Sequence, residues 1–202
     1  MSKNFLIISL GRSGSKFLFH EMNKSKECDV LHDNRNGSKL NRNNFIGEVN
    51  GISLNSGYLS MKKWTGTSGV ILRNPIDICI SKYNNSVRSG RVNLFEKYLY
   101  SNTTFENYTP SLGNTIFKHD LRIIDEFITN GSDIISFSKM TSDKEYLHNI
   151  LNKFGIIDVP VDKLSLVKQN KWPTSVNKLP ENLHKDVFEQ SEWFIDKHGL
   201  YF

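Results

Sequence analysis

The chain opens on a near-continuous apolar run, Asn4 to Leu10, with β-branched residues inside it, the pattern of a strand buried on both faces of a parallel sheet. The run stops at Gly11. From Ser15 to about Lys26 good helix formers follow, with Phe17, Leu18, Glu21 and Met22 at helical spacing. A strand, a glycine-containing turn and a helix in quick succession predict the opening of a βαβ unit. Asp29-Val30-Leu31 reads as a short second strand that ends at His32-Asp33. Asn34 to Thr67 is rich in Asn, Gly, Ser and Lys with apolar islands at Phe45-Ile46 and Tyr58-Leu59, and reads as loops with one or two short elements. Gly69 to Leu72 predicts another buried strand, and Arg73-Asn74-Pro75 marks its end and a helix start. Proline suits the first helical position, where its missing donor would be unpaired anyway, and Asn74 can cap. Ile76, Cys79 or Ile80, Tyr83 and Val87 then form a core-facing stripe, opposite Asp77, Ser81, Asn84 and Arg88.

Ile116 to Ile128 carries the apolar stripe of a helix stopped by Asn130-Gly131, and Asp133 to Phe137 reads as a strand. Ser142 with Glu145 three residues later predicts a capping box, ahead of a stripe of Tyr146, Leu147, Ile150, Leu151 and Phe154 and the terminating Gly155. Pro160 to Ser175 is irregular. A last helix is predicted from Pro180 to about Lys197, with Leu183, Val187, Phe188 and Phe194 inward. This order of strands and helices indicates a three-layer α/β/α sandwich with a mainly parallel central sheet.

Composition narrows the function classes. With 202 residues, 38% hydrophobic and 23% charged, the chain fits one domain, 1–202, able to bury a sizeable core, and does not read as disordered or fibrous. No apolar run is long enough to span a bilayer and the N-terminus does not read as a signal peptide. Cys28 and Cys79 lie far apart with no metal-binding spacing, so neither a disulfide framework nor a metal site is expected, and a cytoplasmic location is the default. The net charge of +5 suits an anionic ligand, but Lys and Arg are interleaved with acids, which does not indicate nucleic acid as a partner. The chain has 22 asparagines and no alanine, so sequon-like triplets are expected by chance.

Two segments carry candidate chemistry. Gly11-Arg12-Ser13-Gly14-Ser15-Lys16 joins the first strand to the first helix, where backbone N–H groups, hydroxyls and the helix dipole can converge on a phosphate. It meets neither the P-loop pattern GxxxxGK[ST] nor GxGxxG. Arg73 stands at a strand's C-terminal end, with Ser81 on the polar side of the following helix, the edge at which ligands of open α/β sheets gather. A planar guanidinium and a hydroxyl there could clamp a second phosphate.

Together these segments resemble the sulfotransferases that use 3′-phosphoadenosine 5′-phosphosulfate (PAPS), whose fold is P-loop-NTPase-like. Leu10 to Ser15 is similar to the family's 5′-phosphosulfate loop, written PKSGT or RSGT, and Arg73 with Ser81 to its 3′-phosphate pair. Phe137 to Ile156 is similar to its strand, "YEDL" corner and helix ending in "FLGI", with Ser138-Lys139-Met140 in place of Glu-Asp-Leu. The resemblance implies transfer of a sulfonate group to a hydroxyl or amine, with 3′-phosphoadenosine 5′-phosphate (PAP) as product. It assigns Gly11, Arg12, Ser13, Gly14, Ser15 and Lys16 to the 5′ end, with Arg12 at the bridging oxygen, and requires no metal.

Sulfuryl transfer depends on positioning and charge neutralisation, and an acceptor hydroxyl needs a base beside the loop. The resemblance puts that base at Asp33, with His32 as rival and Arg35 as an assisting residue; the unperturbed pKa of histidine suits the role better. Phe17 falls where the family has an adenine-facing aromatic, and equally suits a core position. Lys168, Asn170 and Lys171 are the nearest equivalents of a closing basic loop, and Glu48 is a further carboxylate. Small-molecule, carbohydrate, lipid and peptide acceptors all remain open, as does the oligomeric state. The competing readings are a P-loop-like nucleotide kinase and a non-catalytic module binding PAP or nucleic acid.

Overall fold

The structure, a computed structural model, describes residues 5–32, 45–52, 66–101, 115–166 and 178–200. Two compact units interleave along the chain, Met1–Leu72 with Phe127–Gln169 and Arg73–Glu126 with Asn170–Phe202. The protein is mixed α/β with a parallel sheet, as the order of elements predicts.

The first unit holds strands β1 (Phe5–Leu10), β2 (Asp29–His32), β3 (Phe45–Ile52), β4 (Thr67–Leu72) and β5 (Asp133–Ser136). They form one five-stranded sheet in the order β2-β3-β1-β4-β5, every pair parallel. The register puts Phe5, Ile7 and Ser9 of β1 in line with Gly47, Val49 and Gly51 on one side and with Thr67, Gly69 and Ile71 on the other. This face, with Val30 and Ile135, is covered by Leu18 and Met22 of α1 (Ser15–Met22) and by Leu147, Ile150, Leu151 and Phe154, all buried. The alternate β1 positions Leu6, Ile8 and Leu10 are buried as well. A strand buried on both faces has no reason to alternate, which is why β1 reads as a continuous apolar run.

β3 is an inner strand between β2 and β1, where the sequence predicts loops with short elements. Its polar and glycine content hides it. A Cβ at Gly47 would lie 2.5 Å from the Phe5 ring, and one at Gly69 of β4 would lie 2.7 Å from Phe154, whose ring centroid is 5.2 Å from that of Phe5. The glycines of the flanking strands make room for two aromatic rings across the sheet.

α1 stops at Met22, short of the predicted Lys26. Asn23 ends it by bonding both sides of Val30, its Nδ2 donating to the Val30 carbonyl at 3.2 Å and its Oδ1 accepting from the Val30 N–H at 3.2 Å. Glu21, 3% exposed, is satisfied by the Lys24 ammonium at 2.7 Å and the Ser165 N–H at 2.8 Å. At the far edge β5 ends at Ser136, and Phe137, predicted as strand, begins the short helix α5 (Phe137–Ser142). α6 (Lys144–Lys153) is capped by Asp143, whose carboxylate accepts from the Tyr146 N–H at 3.0 Å; Ser142, the predicted cap, instead closes α5. A 3₁₀ turn at Val161–Lys163 lies in the stretch read as irregular.

The second unit is helical, with α2 (Pro75–Arg88), α3 (Val92–Tyr100), most of α4 (Ile116–Thr129) and α7 (Glu181–His198). Asn74 caps α2 as predicted, its side chain accepting from the Ile76 N–H at 2.8 Å ahead of Pro75. α3, in a stretch for which the sequence pattern predicts no element, buries its one apolar edge through Phe95 and Leu99, with the Phe95 ring against Tyr83. Two predicted inward residues are not inward. Val87 is 43% exposed because α2 is buried only over its first half, and Phe188 is 39% exposed because the stripe of α7 runs through Leu183, Val187, Ser191, Phe194 and Ile195. Asp125 of α4 ties down the end of α7 by bonds to Lys197 at 2.7 Å and His198 at 3.0 Å. No described helix is long and apolar enough to cross a membrane.

Candidate functional site

β1 and β4 are neighbours, yet β1 passes the chain to β2 on one side of the sheet and β4 leads to β5 on the other. Ligands of open α/β sheets bind outside the carboxyl ends of strands at such a reversal. The segment that leaves β1 there is the Gly11–Gly14 loop.

Its backbone is shaped before any ligand is considered. The Ser13 N–H donates to the Leu10 carbonyl at 3.0 Å, closing a turn whose third residue, Arg12, has φ 77°. A turn of this kind needs a left-handed residue at that place, normally glycine; arginine there carries strain of about 1–3 kcal/mol. Gly14 follows with φ 93°, and a Cβ on it would lie 2.9 Å from the Phe137 ring and 3.1 Å from Met140 Cε. α5 therefore backs directly onto the loop. The sequence holds no local signal for that contact, since Phe137 is distant in the chain and stands out only as the start of a family-like stretch.

Among the described residues no side chain caps α1, and its first turn has no acidic residue. Its leading N–H groups and the positive end of its dipole meet whatever occupies the turn. Ser13 is fully buried and its hydroxyl has no partner among the described residues, as is true of Ser9 at the end of β1. A buried hydroxyl without a partner costs roughly 1–3 kcal/mol. Arg12 and Lys16 are exposed cations on the same segment.

His32 joins this loop through tertiary structure. It ends β2 on the sheet face that α1 covers, its Nε2 lies 3.2 Å from the Ser15 hydroxyl, and its ring centroid is 5.2 Å from that of Phe19. Ser15 is itself buried as the first residue of α1. Phe17 is half-buried against the core of the first unit, which fits its reading as a core residue. Glu48 lies in β3, opposite Leu6 of β1. Asp33, Arg35, Lys168, Asn170 and Lys171 fall outside the described residues. Arg73 and Ser81 belong to the second unit, Arg73 half-buried just before the capping Asn74 and Ser81 half-buried midway along α2. Among the described residues no group of three or more His, Cys, Asp or Glu side chains could hold a metal.

No protein-family model matches the chain, and no curated protein matches it in sequence.

Proposed function

We propose that this protein is a sulfotransferase that takes its sulfonate from PAPS, binding the 5′-phosphosulfate on the Gly11–Lys16 loop of an α/β/α sandwich of the P-loop-like kind. One observation carries the proposal: among the described residues, a helix start with neither side-chain cap nor acid and a buried Ser13 hydroxyl without a partner meet at the sheet's topological reversal, with His32 at their edge. These groups fit an oxyanion. The Ser13 hydroxyl and the first N–H groups of α1 can hold a 5′-phosphate, while Arg12 and Lys16 can offset the charge that grows on a leaving phosphate oxygen. His32 can take the acceptor's proton, a role the resemblance also offers to Asp33. The 3′-phosphate falls to Arg73 and Ser81 on the resemblance alone. When bound, PAPS supplies the group that is transferred, so the chain's own task is to orient, neutralise and remove a proton.

Calorimetry with PAP at low salt tests this. Wild type should bind, and Arg12→Ala, Ser13→Ala and Arg73→Ala should each bind more weakly, the arginine changes by about 10- to 100-fold, as expected for lost charge-assisted bonds. Absence of PAP binding overturns the proposal, and magnesium-dependent ATP binding in its place would favour a nucleotide kinase.

A further inference from the structure

Phe137 and Gly14 are far apart in the chain, yet the ring of one packs against the Cα of the other. β1 and β5 run parallel to β4 on its two sides, so their carboxyl ends emerge at the same end of the sheet. The segment that leaves β5 there is α5, which begins at Phe137 and meets the loop that leaves β1 across the end of β4. A Cβ on Gly14 would lie 2.9 Å from the Phe137 ring and 3.1 Å from Met140 Cε, so glycine is required there twice, by φ 93° and by the wall behind it. The wall is itself held in place. Met140 is fully buried in the core of the first unit, and Phe137 and Tyr146 pack against that core. The start of α5 is fastened to α6, where the Tyr146 hydroxyl accepts from the Ser136 N–H at 2.9 Å.

We infer that Phe137 is a positioning residue of the Gly11–Lys16 loop: its ring fills the side on which Gly14 carries no Cβ and holds that residue in the left-handed conformation from which α1 starts. Two backbone bonds report that conformation. The Gly14 carbonyl accepts from the Leu18 N–H at 3.0 Å in the first turn of α1, and just ahead of it the Ser13 N–H donates to the Leu10 carbonyl at 3.0 Å. With the ring removed, the space behind Gly14 lets the peptide relax, and both bonds lose their fixed placement together with the Ser13 side chain between them. A loop that is rigid before its ligand arrives loses no binding energy to ordering, so the support behind it acts on affinity without touching the ligand. The inference rests on the reading of the loop as a phosphosulfate site for the identity of the ligand, and on the packing alone for the support.

Amide exchange on the full chain, followed residue by residue by NMR, reads the support without any ligand. In Phe137→Ala the Ser13 and Leu18 amides should exchange about 10-fold faster, while Ile8 of the inner strand β1 keeps its protection. Phe137→Leu, which keeps an apolar side chain behind the loop, should restore most of the difference. Exchange at Ser13 and Leu18 that does not change, or that rises only in step with Ile8 as global destabilisation would make it, overturns the inference. Calorimetry with PAP carries the test to binding. Phe137→Ala should bind about 10-fold more weakly than wild type and Gly14→Ala more weakly still, whereas the double variant should bind better than Gly14→Ala because the ring that the new methyl meets is gone. A double variant that binds no better than Gly14→Ala overturns the inference as well. If PAP does not bind wild type, the phosphosulfate reading fails instead, and the amide exchange alone decides whether Phe137 positions the loop.

Discussion

Single side chains in this protein depart from the rules for their types at a few places, and each departure has a cause. Arg12 occupies a left-handed position that glycine would take freely, and its strain falls within the Gly11–Gly14 turn that leads into α1. The sequence Gly11-Arg12-Ser13-Gly14 announces a turn but not which residue takes the positive φ. In the second unit Asp120 is 2% exposed on α4, and burial pushes its carboxyl up to about 7 against the opposing pull of the Lys82 cation. Burial likewise pushes the neighbouring Cys79 thiol up to about 12, so it stays a protonated core group at neutral pH. The Asp120 carboxyl in the folded protein therefore holds its proton more tightly than it does in the unfolded chain, where the ordinary value of 3.8 applies. Its contribution to stability is complete below pH 4 and is lost as the pH rises toward 7. Asp120→Asn, which stays neutral throughout, should flatten that decline and gain a few kcal/mol relative to wild type between pH 4 and pH 8, at about 1.4 kcal/mol for each tenfold difference in proton affinity between the two states. Urea unfolding at several pH values checks this; parallel curves for the two proteins would show that the carboxyl ionises normally.

At the scale of elements, periodicity predicts those that bury one continuous stripe and misses those whose burial is shared with a distant partner. α4, α6 and α7 are read within a residue or two, and Pro75 with Asn74 marks the start of α2 correctly, because caps and stripes are local properties. β3 escapes because its apolar positions are interrupted by glycines whose reason lies in another strand. Gly47→Ala should test that reason. The new methyl would meet the Phe5 ring at 2.5 Å, closer than real contacts allow, so the substitution should cost roughly 1–3 kcal/mol by overpacking. The double variant with Phe5→Leu should recover part of the loss, and simple additivity in chemical denaturation would mean that the glycine is there for another purpose.

Over the whole sheet the inner strands β1, β3 and β4 are bonded on both sides, whereas β2 and β5 form the edges. Amide exchange should therefore be slowest in β1, which is also buried on both faces, and faster in β2 and β5. Equal protection in β5 and β1 would contradict the strand order. The α/β class, the opening strand–turn–helix and the loop residues Gly11 to Lys16 were legible from the chain, because apolar runs, glycine turns and helix starts are written within a few consecutive residues. His32 was legible as a candidate but its partner was not. The meeting of His32 with Ser15, the backing of Gly14 by Phe137 and the placement of β3 inside the sheet all come from the parallel strand order. In a parallel sheet, spatial neighbours are separated by whole crossover connections, so pairing and contact across them were decided only by the tertiary structure.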